Sequence, residues 1–253
     1  MFKIVINGCA GRMGREIISG LRLSDKFTIV GGIDLKITEQ HEEWKVTQNP
    51  SDLLPLTDIV IDFSLPEGAL RILESCITYE KALVTGTTGF TEQQLDLYKR
   101  AAEKIPIVQA FNFSIGINLL NQLIKQTTAV LGDFNDIEIV EKHHRNKKDA
   151  PSGTAVMLAK TIAESLGRPY ADSLKFGRYG SDAIREKEIG IHSIRGGSVI
   201  GEHQVFFLGE NENVVLTHQA QNRKLFVDGA LLAAEWVWKK PAGLYSMKEV
   251  LGF

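Results

Sequence analysis

The sequence is short of cysteine. Its 253 residues hold only two, Cys9 and Cys76. They carry no metal-ligand spacing and no disulfide framework, so no metal site is expected and a reducing cytoplasm is the compartment they fit. A charge excess is absent too: 29 Lys and Arg stand against 31 Asp and Glu, net −2. That balance gives no support to a nucleic-acid surface. No apolar run has the length that crosses a membrane. The opening Met1-Phe2-Lys3-Ile4-Val5-Ile6 runs straight into a strand, without a signal-peptide layout. Internal repeats and low-complexity segments are missing. What remains is ordinary for a globular chain, 43% hydrophobic and 24% charged. It suffices for one large domain or two modest ones with ample core.

The most informative stretch is Glu141-Lys142-His143-His144-Arg145-Asn146-Lys147-Lys148-Asp149-Ala150-Pro151-Ser152-Gly153-Thr154-Ala155. Strand-like alternation, Ile137-Glu138-Ile139-Val140, leads into it. Helical periodicity leaves it through Ala155, Leu158, Ala159, Ile162 and Leu166. Pro and Ser suit a helix start, and Gly153 lets a ligand approach the backbone. The first N–H groups of a helix have no partner inside it and favour an anion. Cations beside them describe a carboxylate or phosphate pocket, in which imidazole and ammonium groups can move protons. A cationic run alone is usually a solvated loop; the attached Pro-Ser-Gly-Thr sets this one apart. Neighbouring side chains on a strand point to opposite faces, so His143 and His144 are poorly placed to chelate one ion together.

From the N-terminus the pattern is strand, glycine loop, helix. Phe2 to Ile6 reads as a buried strand. Gly8-Cys9-Ala10-Gly11-Arg12-Met13-Gly14 follows, then a helix with Ile17, Ile18 and Leu21 on one face. This is the order of a dinucleotide fold's first turn, in a Gly-x-x-Gly-x-x-Gly variant. The next strand, Phe27 to Ile33, ends at Asp34, 20 residues past Gly14. An acidic residue there meets the adenosine ribose, and Lys36 is placed to offset its repulsion of a 2′-phosphate. Further strands are read at 58–64, 82–85 and 106–109. Pro66 opens a helix carrying Ala69, Leu70, Leu73 and Ile77, and Thr91 with Gln94 forms a capping box. Gly86-Thr87-Thr88 and Ala110-Phe111-Asn112-Phe113 follow strand ends, where ligands of an open parallel sheet sit.

After a helix near 117–131 the pattern changes. Strands at 137–141, 188–194, 203–208 and 214–219 suggest an α+β domain on a mostly antiparallel or mixed sheet. Gly209 to Asn213 reads as a hairpin turn, and residues 168–187 as a mobile loop. A last helix, about 224–239, returns to cover the first sheet. The expected fold is therefore α/β: a Rossmann-like dinucleotide-binding domain of residues 1–114 plus 224–253, and a second domain of residues 115–223.

The chain closely resembles the dihydrodipicolinate reductase family along essentially its whole length. The most specific match is the stretch 141–155. Others are Gly8 to Gly14, Asp62-Phe63-Ser64, Gly86 to Gly89, Asn112 to Gly116, and Arg195 to His203. The resemblance implies reduction of a cyclic imine dicarboxylate by NADH or NADPH, in diaminopimelate and lysine biosynthesis. It implies a homotetramer built through the second domain's sheets; charge balance and hydropathy give no nucleic-acid or membrane partner. Proton transfer falls on His143 and Lys147, and substrate binding on His144, Gly153 and Thr154. Dinucleotide contacts fall on Gly8, Cys9, Ala10, Gly11, Arg12, Met13, Gly14, Asp34, Gly86, Thr87, Thr88, Ala110, Phe111, Asn112 and Phe113. Many members have Glu where Asp34 stands, and the base here is at 36 rather than beside it, so cofactor preference stays open. Two other readings share the first domain: a different two-domain NAD(P)-dependent dehydrogenase, and a non-enzymatic dinucleotide sensor. Neither gives a reason for the His-His, Lys and Gly-Thr grouping.

Overall fold

The computed structural model describes residues 1–36, 43–181 and 184–253. The chain divides into two compact units, Met1–Ile115 with Lys224–Phe253, and Gly116–Arg223. The first opens with β1 (Phe2–Asn7), α1 (Arg12–Arg22), β2 (Phe27–Ile33), β3 (Lys45–Thr47) and β4 (Ile59–Asp62). It continues with α2 (Pro66–Thr78), β5 (Ala82–Thr85), α3 (Glu92–Ala101) and β6 (Pro106–Gln109). Helix α4 (Ile115–Leu131) leads into the second unit, which adds β7 (Asp136–His143), α5 (Gly153–Ser165) and β8 (Leu174–Phe176). Strands β9 (Ile189–Arg195), β10 (Glu202–Leu208) and β11 (Asn213–Gln219) complete it. The chain then returns to the first unit as α6 (Lys224–Val237), β12 (Gly243–Tyr245) and α7 (Met247–Leu251).

The first unit's sheet runs β12-β6-β5-β4-β1-β2-β3, and every neighbouring pair is parallel. Its strands are apolar on both faces because helices cover both. Period two sorts the side chains. Ile4, Ile6, Ile59, Ile61, Val84 and Val108 pack toward α1 and α6. Val5, Val60, Leu83 and Ile107 pack toward α2 and α3. Strand order reverses at β1, which pairs with β2 on one side and β4 on the other. That reversal opens a crevice beyond the carboxyl ends of β1 and β4. Thr91 caps α3 with the expected box, its hydroxyl accepting from the Gln94 N–H while the Gln94 side chain accepts from Thr91.

The second unit's sheet runs β11-β10-β7-β9-β8. The β10–β11 and β7–β10 pairs are antiparallel; the β7–β9 and β8–β9 pairs are parallel. The sheet is mixed because α5 lies between β7 and β9 in the chain and carries it back, so β9 runs in the same direction as β7. One face, with Ile137, Ile139, Ile191, Val205 and Phe207, is covered by α4 and α5.

Four details differ from the sequence expectations. Strand β7 continues to His143 instead of ending at Glu141. Helix α2 buries Ile72 and Cys76 with Ala69 and Leu73, while Leu70 and Ile77 are only partly buried. The 168–187 stretch is not wholly a loop: it holds a 3-10 turn at Ala171–Ser173 and strand β8, paired with β9. Positions 182 and 183 of that stretch lie outside the described residues. Strand β12 adds a parallel edge beside β6, which three residues of sequence do not announce.

Candidate active site

In the first unit, the turn after β1 places Gly8 at φ +78°, a conformation that glycine adopts without strain. Gly11 is the N-cap of α1 and brings no side chain to it, so the helix's first N–H groups have no side-chain cap. Together with Gly8 and Ala10 it lines a cavity of about 630 Å³ at the topological switch point. Asp34 and Lys36 line the same cavity. The Asp34 carboxylate accepts from the Ala10 N–H and the Lys36 N–H, each at 3.0 Å. It thus ties the end of β2 to the glycine loop, and each oxygen keeps a lone pair for a hydroxyl donor. Bare helix N–H groups beside glycine backbone, with a carboxylate at the second strand's end, fit a pyrophosphate and its adenosine ribose.

The other residues expected at the dinucleotide have these surroundings. The Cys9 side chain is buried and packs in the core. Arg12 is exposed and Met13 packs partly on that core. Gly14 is buried, and a methyl built on it would stand 2.2 Å from the Gly8 carbonyl oxygen. The absence of a side chain there lets the helix pack closely on the loop. The Thr87 hydroxyl is consumed inside the protein, donating to Asp62 at 2.8 Å and accepting from the Ser64 N–H at 3.0 Å. Thr88 is exposed, and Gly86 leaves room for the Phe63 ring. Ala110 and Phe113 are buried in the core; Phe111 is exposed, and Asn112 accepts from the Ser114 N–H at 2.8 Å. All of these follow the carboxyl ends of β1, β5 and β6, so they share one edge of the sheet.

Sequence reading missed Arg71 on α2 and Gln48, which also line the cavity. Arg71 is exposed and donates to the Gln48 carbonyl at 2.8 Å. In the sequence it is one cation on a helix, with nothing to set it apart.

In the second unit the signature stretch is divided by its strand. Glu141 and His143 share the inward face of β7 with Ile137 and Ile139. Lys142 points the other way and pairs with Glu202 at 2.7 Å. Arg145 and Lys148 are exposed. Lys147 is partly buried, and its Nζ lies 2.9 Å from Asp149 Oδ1. His144 is partly buried, and its carbonyl accepts from the Lys147 N–H at 3.1 Å. The cationic run thus divides: Lys142 and Lys147 are ion-paired, while Arg145 and Lys148 are exposed.

Ser152 caps α5, its hydroxyl accepting from the Ala155 N–H at 3.2 Å. Gly153 follows, exposed, and a methyl built on it would meet nothing within 4 Å. No packing demand explains a glycine there, and the backbone at the helix start is open to approach. Thr154 stands beside it, partly buried.

Behind these residues lies a buried polar row. Glu141 is fully buried, and its carboxylate accepts from the Arg195 guanidinium at 2.6 and 2.8 Å. Burial acts to raise its pKa, but the bonds from His143 and Arg195 outweigh this and bring it down to about 2. His203, opposite Glu141 on β10, has its pKa pushed down to about 4, first by burial and then by the charge of His143. The His143 and His203 rings meet edge to face at 5.2 Å, and His203 Nε2 lies 3.1 Å from the Ser152 hydroxyl. Arg195, Gly201 and His203 belong to a stretch the sequence marks as distinctive without revealing what its side chains touch.

Family models describing the dihydrodipicolinate reductase N-terminus and C-terminus match residues 2–113 and 116–251. A 4-hydroxy-tetrahydrodipicolinate reductase of Syntrophotalea carbinolica is 40% identical, over 100% of this chain and 99% of its own. One of Anaeromyxobacter dehalogenans is 42% identical, over 100% and 98%. Among solved structures, a dipicolinate-bound dihydrodipicolinate reductase from Paenisporosarcina sp. TG-14 superposes with a TM-score of 0.80 at 28% identity, covering 97% of each chain.

Proposed function

The chain belongs to the dihydrodipicolinate reductase family, and from that premise we propose how its own residues divide the reaction. The protein reduces 4-hydroxy-tetrahydrodipicolinate to tetrahydrodipicolinate with NADH or NADPH, a step of diaminopimelate and lysine biosynthesis. When bound, the nicotinamide supplies the hydride. The substrate carries two carboxylates. The N–H groups of Gly153 and Thr154 at the α5 start receive one of them, with the Lys147 ammonium and His144 beside it. Hydride addition makes the substrate more electron-rich, so an acid must supply a proton; Lys147 and His143 hold it. The glycine loop with Gly8, Ala10 and Gly11 receives the pyrophosphate, and Asp34 the ribose hydroxyls.

The observation that carries this reading is the open α5 start at Gly153, with an ion-paired lysine and a carboxylate-bound imidazole in the same unit. Following NADH and NADPH oxidation with freshly generated pathway precursor tests it. Oxidation that depends on the precursor is expected; cofactor binding without precursor-dependent oxidation rejects it.

Both cofactors are expected to bind, with no more than about a tenfold preference, a gap of roughly 1.4 kcal/mol. Asp34 accepts from ribose hydroxyls, while Lys36, from the same cavity wall, offsets its repulsion of a 2′-phosphate. Calorimetric titration of each cofactor checks this. A hundredfold preference for either means that one of the two residues dominates.

We also propose a homotetramer in the cytoplasm, the compartment that two cysteines in 253 residues suit. Among the described residues no helix is long and apolar enough to cross a membrane. Among the described residues, the helices of the second unit, α4 and α5, cover one face of its sheet. The outward residues of β9 and β11 include Ile194 and Val215, 48% and 44% exposed, and a copy of the same face would cover them. Sedimentation at micromolar concentration is expected to show the tetramer. A single species near 28.1 kDa rules it out.

A further inference from the structure

Glu141 enters the reading above only as the carboxylate on the imidazole, yet its side chain is bonded by His143, Arg195 and Ser152. Its Oε2 lies 2.5 Å from His143 Nδ1 and accepts from Arg195 at 2.8 Å. Its Oε1 accepts from Arg195 at 2.6 Å and from the Ser152 N–H at 3.2 Å. We propose that Glu141, clamped by Arg195, is a positioning residue: it holds His143 with Nδ1 protonated, leaves Nε2 to exchange the reaction's proton, and ties the α5 start to that imidazole. The proposal rests on the reading of His143 as a proton-handling group.

The geometry follows from the strand. Residues i and i+2 share a face, so Glu141 and His143 point together into the unit. In the parallel ladder Arg195 stands opposite His143, close enough for its guanidinium to reach back to Glu141. Arg195 also donates to the Asp149 carbonyl at 2.7 Å, so the clamp includes the loop that carries Lys147. A planar fork on a carboxylate fixes orientation as well as charge, which a lysine there would not do. With Glu141 ionised and able only to accept, the imidazole nitrogen against it must be the donor. Nε2 faces Gly201, where a methyl built on the backbone would stand 3.0 Å away.

The charged and titratable groups around the ring are few. Glu141 comes from its own strand, Arg195 from β9 and His203 from β10; Lys147, in the following loop, is near enough for its charge to act on His203. His203 is neutral at neutral pH by virtue of its burial. Among the described residues, the Glu141 carboxylate is the negative group bonded to the ring.

Three measurements on the full-length protein test this. Nitrogen NMR of His143 in the wild type reads the tautomer directly; Nδ1–H is expected, and a neutral ring protonated at Nε2 overturns the proposal without touching the reading beneath it. In Glu141→Gln the alkaline limb of the kcat–pH profile is expected to move down by about one unit or more, the usual effect of losing an opposite charge at this range. At fixed pH on that limb kcat then falls about tenfold, with cofactor affinity unchanged. Glu141→Asp, which keeps the charge, is expected to recover part of the shift. A merely structural carboxylate would lower kcat at every pH alike, and an unmoved limb in Glu141→Gln overturns the proposal. If that variant does not fold, the wild-type tautomer and the profile of Arg195→Lys decide. That variant is expected to keep Nδ1–H while kcat falls, and an unchanged kcat removes Arg195 from the clamp. Wild-type kcat in His143→Ala has a different meaning: it rejects the proton-handling reading itself.

Discussion

Lys147→Ala is expected to lower kcat by about two to four orders of magnitude, the range for losing a general acid. Lys147 is partly buried, in the loop that joins β7 to α5, with its ammonium 2.9 Å from Asp149 and its N–H donating to the His144 carbonyl. A side chain so placed has little freedom to be replaced by water without loss of orientation. Cofactor affinity is expected to hold, because the cavity lined by Gly8, Gly11 and Asp34 belongs to the other unit. Thermal stability is expected to hold as well, since one ion pair with a 58% exposed partner contributes little. Lys148 is the internal control. It is exposed, and Lys148→Ala is expected to stay near wild type. Steady-state kinetics on both variants separate the outcomes. Equal losses reduce the loop to a diffuse basic patch and end the proton-donor assignment. A raised KM with kcat intact makes Lys147 a carboxylate clamp and leaves His143 as the acid.

Gly14→Ala is expected to weaken cofactor binding by about tenfold to a hundredfold, and to lower the melting temperature as well. The added methyl would stand 2.2 Å from the Gly8 carbonyl oxygen and 2.7 Å from the Cys9 Cα. Both obstacles are backbone, so no side chain can swing aside, and α1 must shift away from the loop it starts from. Overpacking of this kind costs about 1–3 kcal/mol, and each 1.4 kcal/mol is a factor of about ten in affinity. Gly11→Ala separates the two effects. Its methyl meets only the Gly8 oxygen, at 3.1 Å, and sits at an exposed cavity wall. It is expected to weaken the cofactor with a smaller change in melting temperature. Titration and thermal melts of both variants suffice. Wild-type affinity and melting in Gly14→Ala would sink the packing argument.

Much of the first unit was legible because each strand is buried on both faces and each helix on one. Continuous apolar runs followed by 3.6-residue periodicity can form little else than an alternating parallel sheet. Local chemistry was legible for the same reason: Thr91 with Gln94, and Ser152 ahead of Gly153, mark helix starts within a few residues of sequence. Strands β3, β8 and β12 were not, since three residues carry no period. The mixed second sheet was only half legible. Alternation tells which face is apolar but not which neighbour a strand takes or in which direction.

The sequence by itself determined the family, the two-part architecture, the glycine loop with Asp34, and the helix start beside Lys147. Each is written in residues close together along the chain, where backbone geometry leaves few alternatives. Tertiary structure alone decided what those residues face. It turned Lys142 to the outer face of β7 and Glu141 inward with His143. It buried Cys9 and Gly14 behind the loop they belong to. It brought Arg195 onto Glu141 from 54 residues away. A polar pair at that separation depends on strand register, and register is set by the packing of a whole sheet face rather than by any stretch that can be read alone.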